Sequence, residues 1–374
     1  MRSLGKVRSI IAAACLFSLI LLIAGCLGSS GSADLPSLSA LWKSAAAECA
    51  SANGLVSLSA GGDVNFGDGV TSSLVSGGMS YPFAGVSQAF ESTDLSFVNL
   101  ECCISSTGSP VAGKEFTFEG PADSAEALKI GGIKVVSMAN NHSKDYGAAA
   151  FLETLGHLKQ NGVAYCGAGR DATEAYSPAV LDARGQKVAF LAFTAIIPDG
   201  WPATASTPGT AITWDHKKVA QSIRDARAKA DYVVVSFHWG IELATSPNSE
   251  QRELAHLAVD SGADVVLGQH PHVVQGFELY KNRLIAYSLG NFVFSPPDAV
   301  SARSAMLMAL MGKGGLVEAK VVPVQITGER PVIVNGAAAD AWAGTIASYS
   351  KALGTTMTVT GGRGYIEGGA PQKQ

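Results

Sequence analysis

No Cys-x-x-Cys pair occurs anywhere in the 374 residues, which excludes a zinc ribbon and a thioredoxin-type redox motif. Cysteines themselves are few: Cys15, Cys26, Cys49, Cys102, Cys103 and Cys166. A basic surplus is also missing. Lys and Arg number 27 against 31 Asp and Glu, so nothing in the charge balance suits a nucleic-acid partner or a long basic groove. Beyond residue 23 the chain lacks any further run long and apolar enough to cross a bilayer.

What is present begins with an export signal. Arg2, Lys6 and Arg8 precede an uncharged, largely apolar run of 14 residues, Ile10 to Ile23, short for a transmembrane helix and right for a signal peptide. The run ends in Ile23-Ala24-Gly25-Cys26, which resembles a bacterial lipobox and implies cleavage before Cys26 and lipidation of its thiol. The expected product is an exported lipoprotein held on the extracytoplasmic face of the cell membrane. Loss of residues 1–25 removes three basic residues, leaving 24 Lys and Arg against 31 Asp and Glu, a net charge of −7. Residues 27–34 are rich in Gly and Ser and read as a flexible tether, and Leu38 to Ala52 as a modest amphipathic helix. With Cys15 in the signal and Cys26 lipidated, four cysteines remain; spacing assigns no disulfide among them, and they read as small buried apolar residues.

From Leu55 onward apolar runs alternate with helical patterns. Strands are predicted at Leu55–Ala60, Leu95–Leu100, Ile133–Met138, Lys187–Phe193, Tyr232–Phe237, Asp264–Leu267 and Val273–Phe277, and helices at Ser124–Ile130, Ala148–Gln160, Lys217–Ala230 and Glu250–Ser261. That alternation predicts an α/β fold with buried strands over residues 55–326. A hairpin is expected around Lys281-Asn282. The runs near Leu284–Ser288, Ala305–Leu310 and Leu316–Val324 follow one another without helices, which suggests antiparallel additions or a second sheet. Residues 327–374 form a C-terminal extension packing on the domain, with a helix at Ala338–Leu353, a last strand within Met357–Ile366 and a frayed tail from Glu367.

Polar clusters stand at the strand ends. They are Gly61-Gly62-Asp63-Val64-Asn65, Asn99-Leu100-Glu101, Asn140-Asn141-His142-Ser143-Lys144-Asp145, His238-Trp239-Gly240-Ile241-Glu242 and His270-Pro271-His272. The carboxyl ends of strands are where open α/β sheets place ligands. If the strands are parallel neighbours, all five clusters meet at one sheet edge. Four of the seven histidines lie in them, while His157 and His256 fall in helix patterns and read as structural or solvent-facing. Oxygen and imidazole donors without thiolate suit Mn, Fe, Zn or Mg. Asp145 and Lys144 beside His142 are placed to orient it or to bind an anion.

In combination and order, GDVNFGD, VNLE, ANNHSKDYG, FHWGIE, GQHPH and YSLGNFVF resemble the bacterial capsule-synthesis proteins of the CapA type, also called PgsA, associated with poly-γ-glutamate and related to the calcineurin-like metallophosphoesterases. The resemblance covers Leu55 to Val324, and Phe116-Thr117-Phe118 fits it as a strand. It implies a two-sheet sandwich with helices on both outer faces, four layers in the order αββα, and one or two divalent ions where the loops of the sheets meet. Carried over, Asp63 and His272 would hold a first ion, Glu101 would bridge, and Asn141, His238 and His270 would hold a second. His142 would be the unliganded proton donor, with Asp145 the next candidate. The sequence departs from the phosphoesterase pattern in having Asp63-Val64-Asn65 where Asp-x-His is usual, and a glutamate at the bridge. The first ion would thereby lose a nitrogen donor. Two functions follow as expectations. One is a metal-dependent hydrolase or transferase acting on an exported polymer or a phosphoester. The other is a non-catalytic partner in assembly or export beside the membrane-bound synthase subunits that make poly-γ-glutamate.

Overall fold

The computed structural model describes residues 54–369. The signal segment, Cys26 and the tether, the Leu38–Ala52 helix, Cys49 and residues 370–374 lie outside the described residues. Among the described residues no helix is long and apolar enough to cross a membrane.

Valine-rich runs buried on both faces become parallel strands, because only a covered sheet can use side chains that are apolar in both directions. Four of them, β1 (Val56–Val64), β2 (Leu95–Leu100), β3 (Val135–Ser137) and β4 (Ala164–Cys166), lie side by side and parallel. A second parallel set contains β6 (Gln186–Thr194), β7 (Tyr232–His238), β8 (Val265–Gln269) and β10 (Arg283–Ala286). It is edged by the antiparallel strands β5 (Ala179–Ala183) and β9 (Phe277–Tyr280), giving six strands in the order β9-β10-β8-β7-β6-β5. The first set grows to ten strands. β11 (Asn291–Val293) pairs parallel to β1, and beyond β1 follow β12 (Arg303–Gly312), β13 (Gly315–Thr327), β14 (Arg330–Ile333), β15 (Thr358–Thr360) and β16 (Arg363–Glu367).

The two sheets face each other. Phe97 of β2 and Phe190 of β6 stack across the gap with ring centroids 6.1 Å apart and planes 6° from parallel. Because side chains alternate along a strand, Val98, Leu100 and Val136 point the other way. There they join Leu128 of α1 (Ser124–Ile130) and Phe151, Leu155 and Leu158 of α2 (Gly147–Gln160) in one buried cluster. On the smaller sheet, Ala189, Leu191, Val233, Val235 and Val266 meet α3 (His216–Arg227) through Val219 and Ile223, and α4 (Ser249–Asp260) through Leu254, Ala255 and Ala258. Local chemistry starts both helices. Asp215 accepts from the amides of Lys217 and Lys218, and Asn248 with Gln251 forms a reciprocal capping box. The result is α/β, a two-sheet sandwich flanked by helices.

Several expectations are corrected. The polar clusters do not share one sheet edge: three follow strands of the larger sheet and two follow strands of the smaller. Asp63 lies within β1, which runs four residues past Ala60. The run at Val273 is not a strand until Phe277; Val274 makes only an isolated bridge to Leu289. Phe116 to Phe118 is irregular, and the strand there is the two residues Glu119–Gly120. Glu367 is paired with Glu318 and does not begin a frayed tail. The hairpin at Lys281-Asn282 forms with φ of 50° and 60°, the two left-handed residues that match the twist of a tight hairpin. Cys102, Cys103 and Cys166 are buried free thiols, and burial pushes all three above the usual thiol range, Cys103 to about 12.

Candidate metal centre

The ends of β1, β2, β7 and β8 converge because the two sheets touch there. Glycine lets the segment from Tyr287 to Gly290 run close beside both β8 and β1: a Cβ on Gly62 would stand 1.7 Å from the Gly290 carbonyl oxygen, and one on Gly268 would stand 1.9 Å from that of Tyr287. Asp63 N donates to Gly290 O at 3.0 Å, so the carboxylate end of β1 is pinned against the segment that carries Asn291.

Asp63 and Glu101 are both fully buried. One amide organises them, since Asn99 Nδ2 donates to Asp63 Oδ1 at 2.8 Å and to Glu101 Oε2 at 3.3 Å. Asn99 is held in turn by Asn140, whose Nδ2 donates to Asn99 Oδ1 at 3.1 Å. The second oxygen of Glu101, Oε1, has no hydrogen-bond partner among the described residues although it is buried. Around it stand Nε2 of His238 at 3.8 Å, of His272 at 3.8 Å and of His142 at 3.9 Å. These separations are too long for hydrogen bonds. They suit donors that share an ion, because two groups each about 2.0–2.2 Å from one metal are at most about 4.4 Å apart. His270 Nδ1 is a second buried atom of the site with no partner among the described residues.

The ligand atoms fall into two sets, each within 4.8 Å: Glu101 with His238 and His270, and Asp63 with Glu101 and His272. Glu101 is common to both. Asn141 adds an oxygen to the former set, its Oδ1 lying 2.8 Å from His238 Nε2. All six proposed ligands are therefore brought together, and the donor set is chemically fit for one or two divalent ions.

Without a cation, charge is disfavoured here. Burial, then the neighbouring Asp63, pushes the Glu101 carboxyl well above its ordinary range, and burial also raises Asp63. Burial, then the facing His270, drives His238 well below the imidazole range, and burial takes His270 down to about 3. Neutral imidazoles are the form that ligates metal.

The His270–His272 loop is strained to aim its rings. His270 has φ 92° and His272 φ 58°, conformations that cost a non-glycine residue about 1–3 kcal/mol each. The loop is tied by His270 N donating to Asp63 Oδ2 at 3.3 Å and by His272 Nδ1 lying 2.8 Å from Asn291 Oδ1.

His142 sits beside this centre. Its Nδ1 is 2.7 Å from Asp145 Oδ2, and its ring stacks on Phe118 at 4.2 Å. Asp145 is fully buried, accepts from Phe118 N at 2.7 Å and pairs with Lys114. Burial holds His142 below the usual imidazole range against the opposing pull of Asp145. Lys144 turns away from the centre, its Nζ donating to the carbonyls of Pro208 at 3.1 Å and Gly200 at 3.4 Å. Asn65 is also not a donor to the site. Its Oδ1 accepts from Gly67 N at 2.7 Å, inside its own loop.

The sequence reading missed Asn99, Lys114 and Asn291. Asn99 stands inside the quoted cluster Asn99-Leu100-Glu101 but was given no role, and its polar side chain in a buried strand was the available signal. Lys114 carries none, since nothing local distinguishes it from a solvated lysine. Asn291 lies within the quoted motif YSLGNFVF, but nothing in that motif ties it to His272. Of the remaining histidines, His157 lies 3.2 Å from Glu153 and His256 3.0 Å from Glu278, both away from the centre.

Comparison with known proteins adds the following. A family described as "Bacterial capsule synthesis protein PGA_cap" matches residues 57–296. The chain is 32% identical over 282 residues to the capsule biosynthesis protein CapA of Bacillus anthracis, covering 74% of this chain and 69% of that one. It is 35% identical over 224 residues to the PGA biosynthesis protein CapA of Bacillus subtilis, covering 60% of this chain and 59% of that one. A probable polyglutamine synthesis accessory protein of Mycobacterium tuberculosis is 28% identical over 54% of this chain and 56% of its own length. Among solved structures, a putative 5'-nucleotidase from Staphylococcus aureus aligns with a TM-score of 0.47 at 14% identity, over 75% of this chain and 55% of the other.

Proposed function

The chain belongs to the family of bacterial capsule synthesis proteins, and on that premise we propose that it is a membrane-anchored, metal-binding protein of poly-γ-glutamate capsule synthesis whose site acts as a hydrolase or transferase on an exported polymer. The observation that carries the reading is the unpartnered Glu101 Oε1, buried among three histidine nitrogens. A buried acceptor without a donor costs about 1–3 kcal/mol, and a cation in that space would remove the cost.

Asp63, Glu101, Asn141, His238, His270 and His272 are the residues that would hold one or two ions. When bound, such ions polarise a carbonyl or phosphoryl oxygen and raise the acidity of water. The chain's own residues supply the remainder. Asn99 fixes both carboxylates, so the Glu101 oxygen facing the histidines is set before substrate arrives. Asp145 holds His142 through Nδ1 and leaves Nε2 directed at the centre, the atom from which a proton would pass to a leaving group. Phe118 covers one face of that ring and keeps water from it.

A second reading is favoured by Asn65. With its amide engaged in its own loop, the set around Asp63 has one donor fewer than a two-ion hydrolase of the resembling pattern. A metal that bridges carboxylates without cleaving anything, in an accessory partner of the synthase, suits that shortage.

Metal analysis of the purified chain after Mn²⁺ or Zn²⁺ loading, with phosphodiester and γ-glutamyl polymer hydrolysis measured in parallel, tests both. Bound metal with turnover that His238→Ala abolishes supports the enzyme. Bound metal without turnover on either substrate supports the accessory role. A chain that takes up neither ion overturns the metal reading.

A further inference from the structure

Glu242 ends the quoted motif FHWGIE, but the proposed ligand set gives it no role. It lies in the turn after β7, exposed, with no hydrogen bond or ion pair among the described residues. Its place is nevertheless fixed. Leu243, held at φ 61°, donates its amide to Pro271 O at 2.8 Å, and Ala244 O accepts from Gln275 Nε2 at 2.8 Å. Both bonds dock the turn onto the loop that carries His270 and His272. One carboxylate oxygen of Glu242 consequently lies within 4.8 Å of a nitrogen of each of those two rings.

His270 and His272 belong to different ligand sets, joined from the buried side by Glu101. Glu242 stands in the same relation to both rings but is solvent-exposed, whereas Glu101 is fully buried. We infer that Glu242 is a seventh metal ligand, a second carboxylate common to both sets that closes the centre on its solvent side and yields to an incoming anion. This inference rests on the metal-binding reading above.

Two independent features point the same way. His270 Nδ1 is buried without a partner, on a residue that is 95% buried, so the ring is made to be ligated. The donor missing at Asn65 also leaves the set short, and two divalent ions facing only Asp63 and Glu101 would remain undercompensated. A third carboxylate offsets part of that charge. Being the exposed member, Glu242 occupies the face by which a substrate carboxylate or phosphate must enter, so such an anion binds by taking its place.

The test titrates Mn²⁺ into wild type and Glu242→Gln and then adds inorganic phosphate to the loaded proteins. Glu250→Gln, another exposed carboxylate, controls for the loss of one charge. Loss of a ligand is expected to weaken Mn²⁺ binding by at least about tenfold in Glu242→Gln only, the lower end of what even supporting residues cost. Phosphate should bind the loaded Glu242→Gln protein more tightly than loaded wild type. Equal Mn²⁺ affinity in wild type and Glu242→Gln overturns the inference while leaving the metal reading intact. Wild type that binds no Mn²⁺ overturns both.

Discussion

His142 Nδ1 lies 2.7 Å from Asp145 Oδ2, while Nε2 of the same ring faces Glu101 Oε1 at 3.9 Å. The ring thus has one nitrogen committed to a buried carboxylate and the other directed at the candidate metal centre. His270 differs: it has no such partner, and its Nδ1 is unsatisfied. The two residues should therefore fail differently. His142→Ala is expected to lower turnover by about 10²–10⁴-fold with bound metal near wild type. His270→Ala should lower bound metal and turnover together. Metal analysis beside initial rates separates the two, and metal loss in His142→Ala would make that residue a ligand.

The strain in the loop predicts a difference between two substitutions at one site. At φ 92°, His270 is in a region open to glycine and costly to any residue with a Cβ. His270→Gly should leave the metal-free protein about 1 kcal/mol more stable than His270→Ala, although both lose the ligand. Urea unfolding of the two variants in chelator measures this, and equal midpoints would show that the loop relaxes on substitution.

Asp94 offers a pH-dependent test away from the site. Burial pushes its carboxyl up, but hydrogen bonds from Ser57 N at 2.8 Å and Ser57 Oγ at 2.7 Å, with the Arg184 guanidinium, outweigh burial and hold it below the ordinary range. A carboxylate whose folded value is depressed contributes stability that is present above the unfolded value, about 3.9, and is lost as pH falls through the folded one. Asp94→Asn should thus cost about 1–3 kcal/mol at neutral pH, and the difference from wild type should shrink as the pH is taken below about 4. A difference that is constant with pH would mean that packing, not charge, is what Asp94 contributes.

Anchoring is tested through Cys26. Cys26→Ser should release the protein from the membrane fraction or leave its signal uncleaved. Wild-type chain recovered wholly in the soluble fraction on cell fractionation would remove the anchor from the proposal.

Much of the fold, and the residues gathered in the candidate site, were legible in the sequence. Buried parallel strands announce themselves as apolar runs, so Leu95–Leu100 and the body of β7 stood out, and the polar residues that end each run marked Glu101 and His238. These signals are local. They arise because a strand covered on both faces is mostly apolar, so the few polar residues at its carboxyl end, Glu101 and His238 among them, stand out although they too are buried.

What the tertiary structure alone decided is which strand ends meet. Phe97 and Phe190 close two sheets face to face, and that contact brings Asp63 and His270 together across a long stretch of chain. No periodicity encodes it, because the free energy of sheet-on-sheet packing belongs to both partners at once. For the same reason, the pairing of Lys114 with Asp145, the seat of Asn291 against His272 and the docking of the Glu242 turn onto Pro271 were invisible beforehand. Each joins residues whose own neighbours carry no trace of the partner. The left-handed backbone at His270 is likewise held from outside, by Asp63 and the segment that positions it, since a residue with a Cβ adopts that conformation only at a cost.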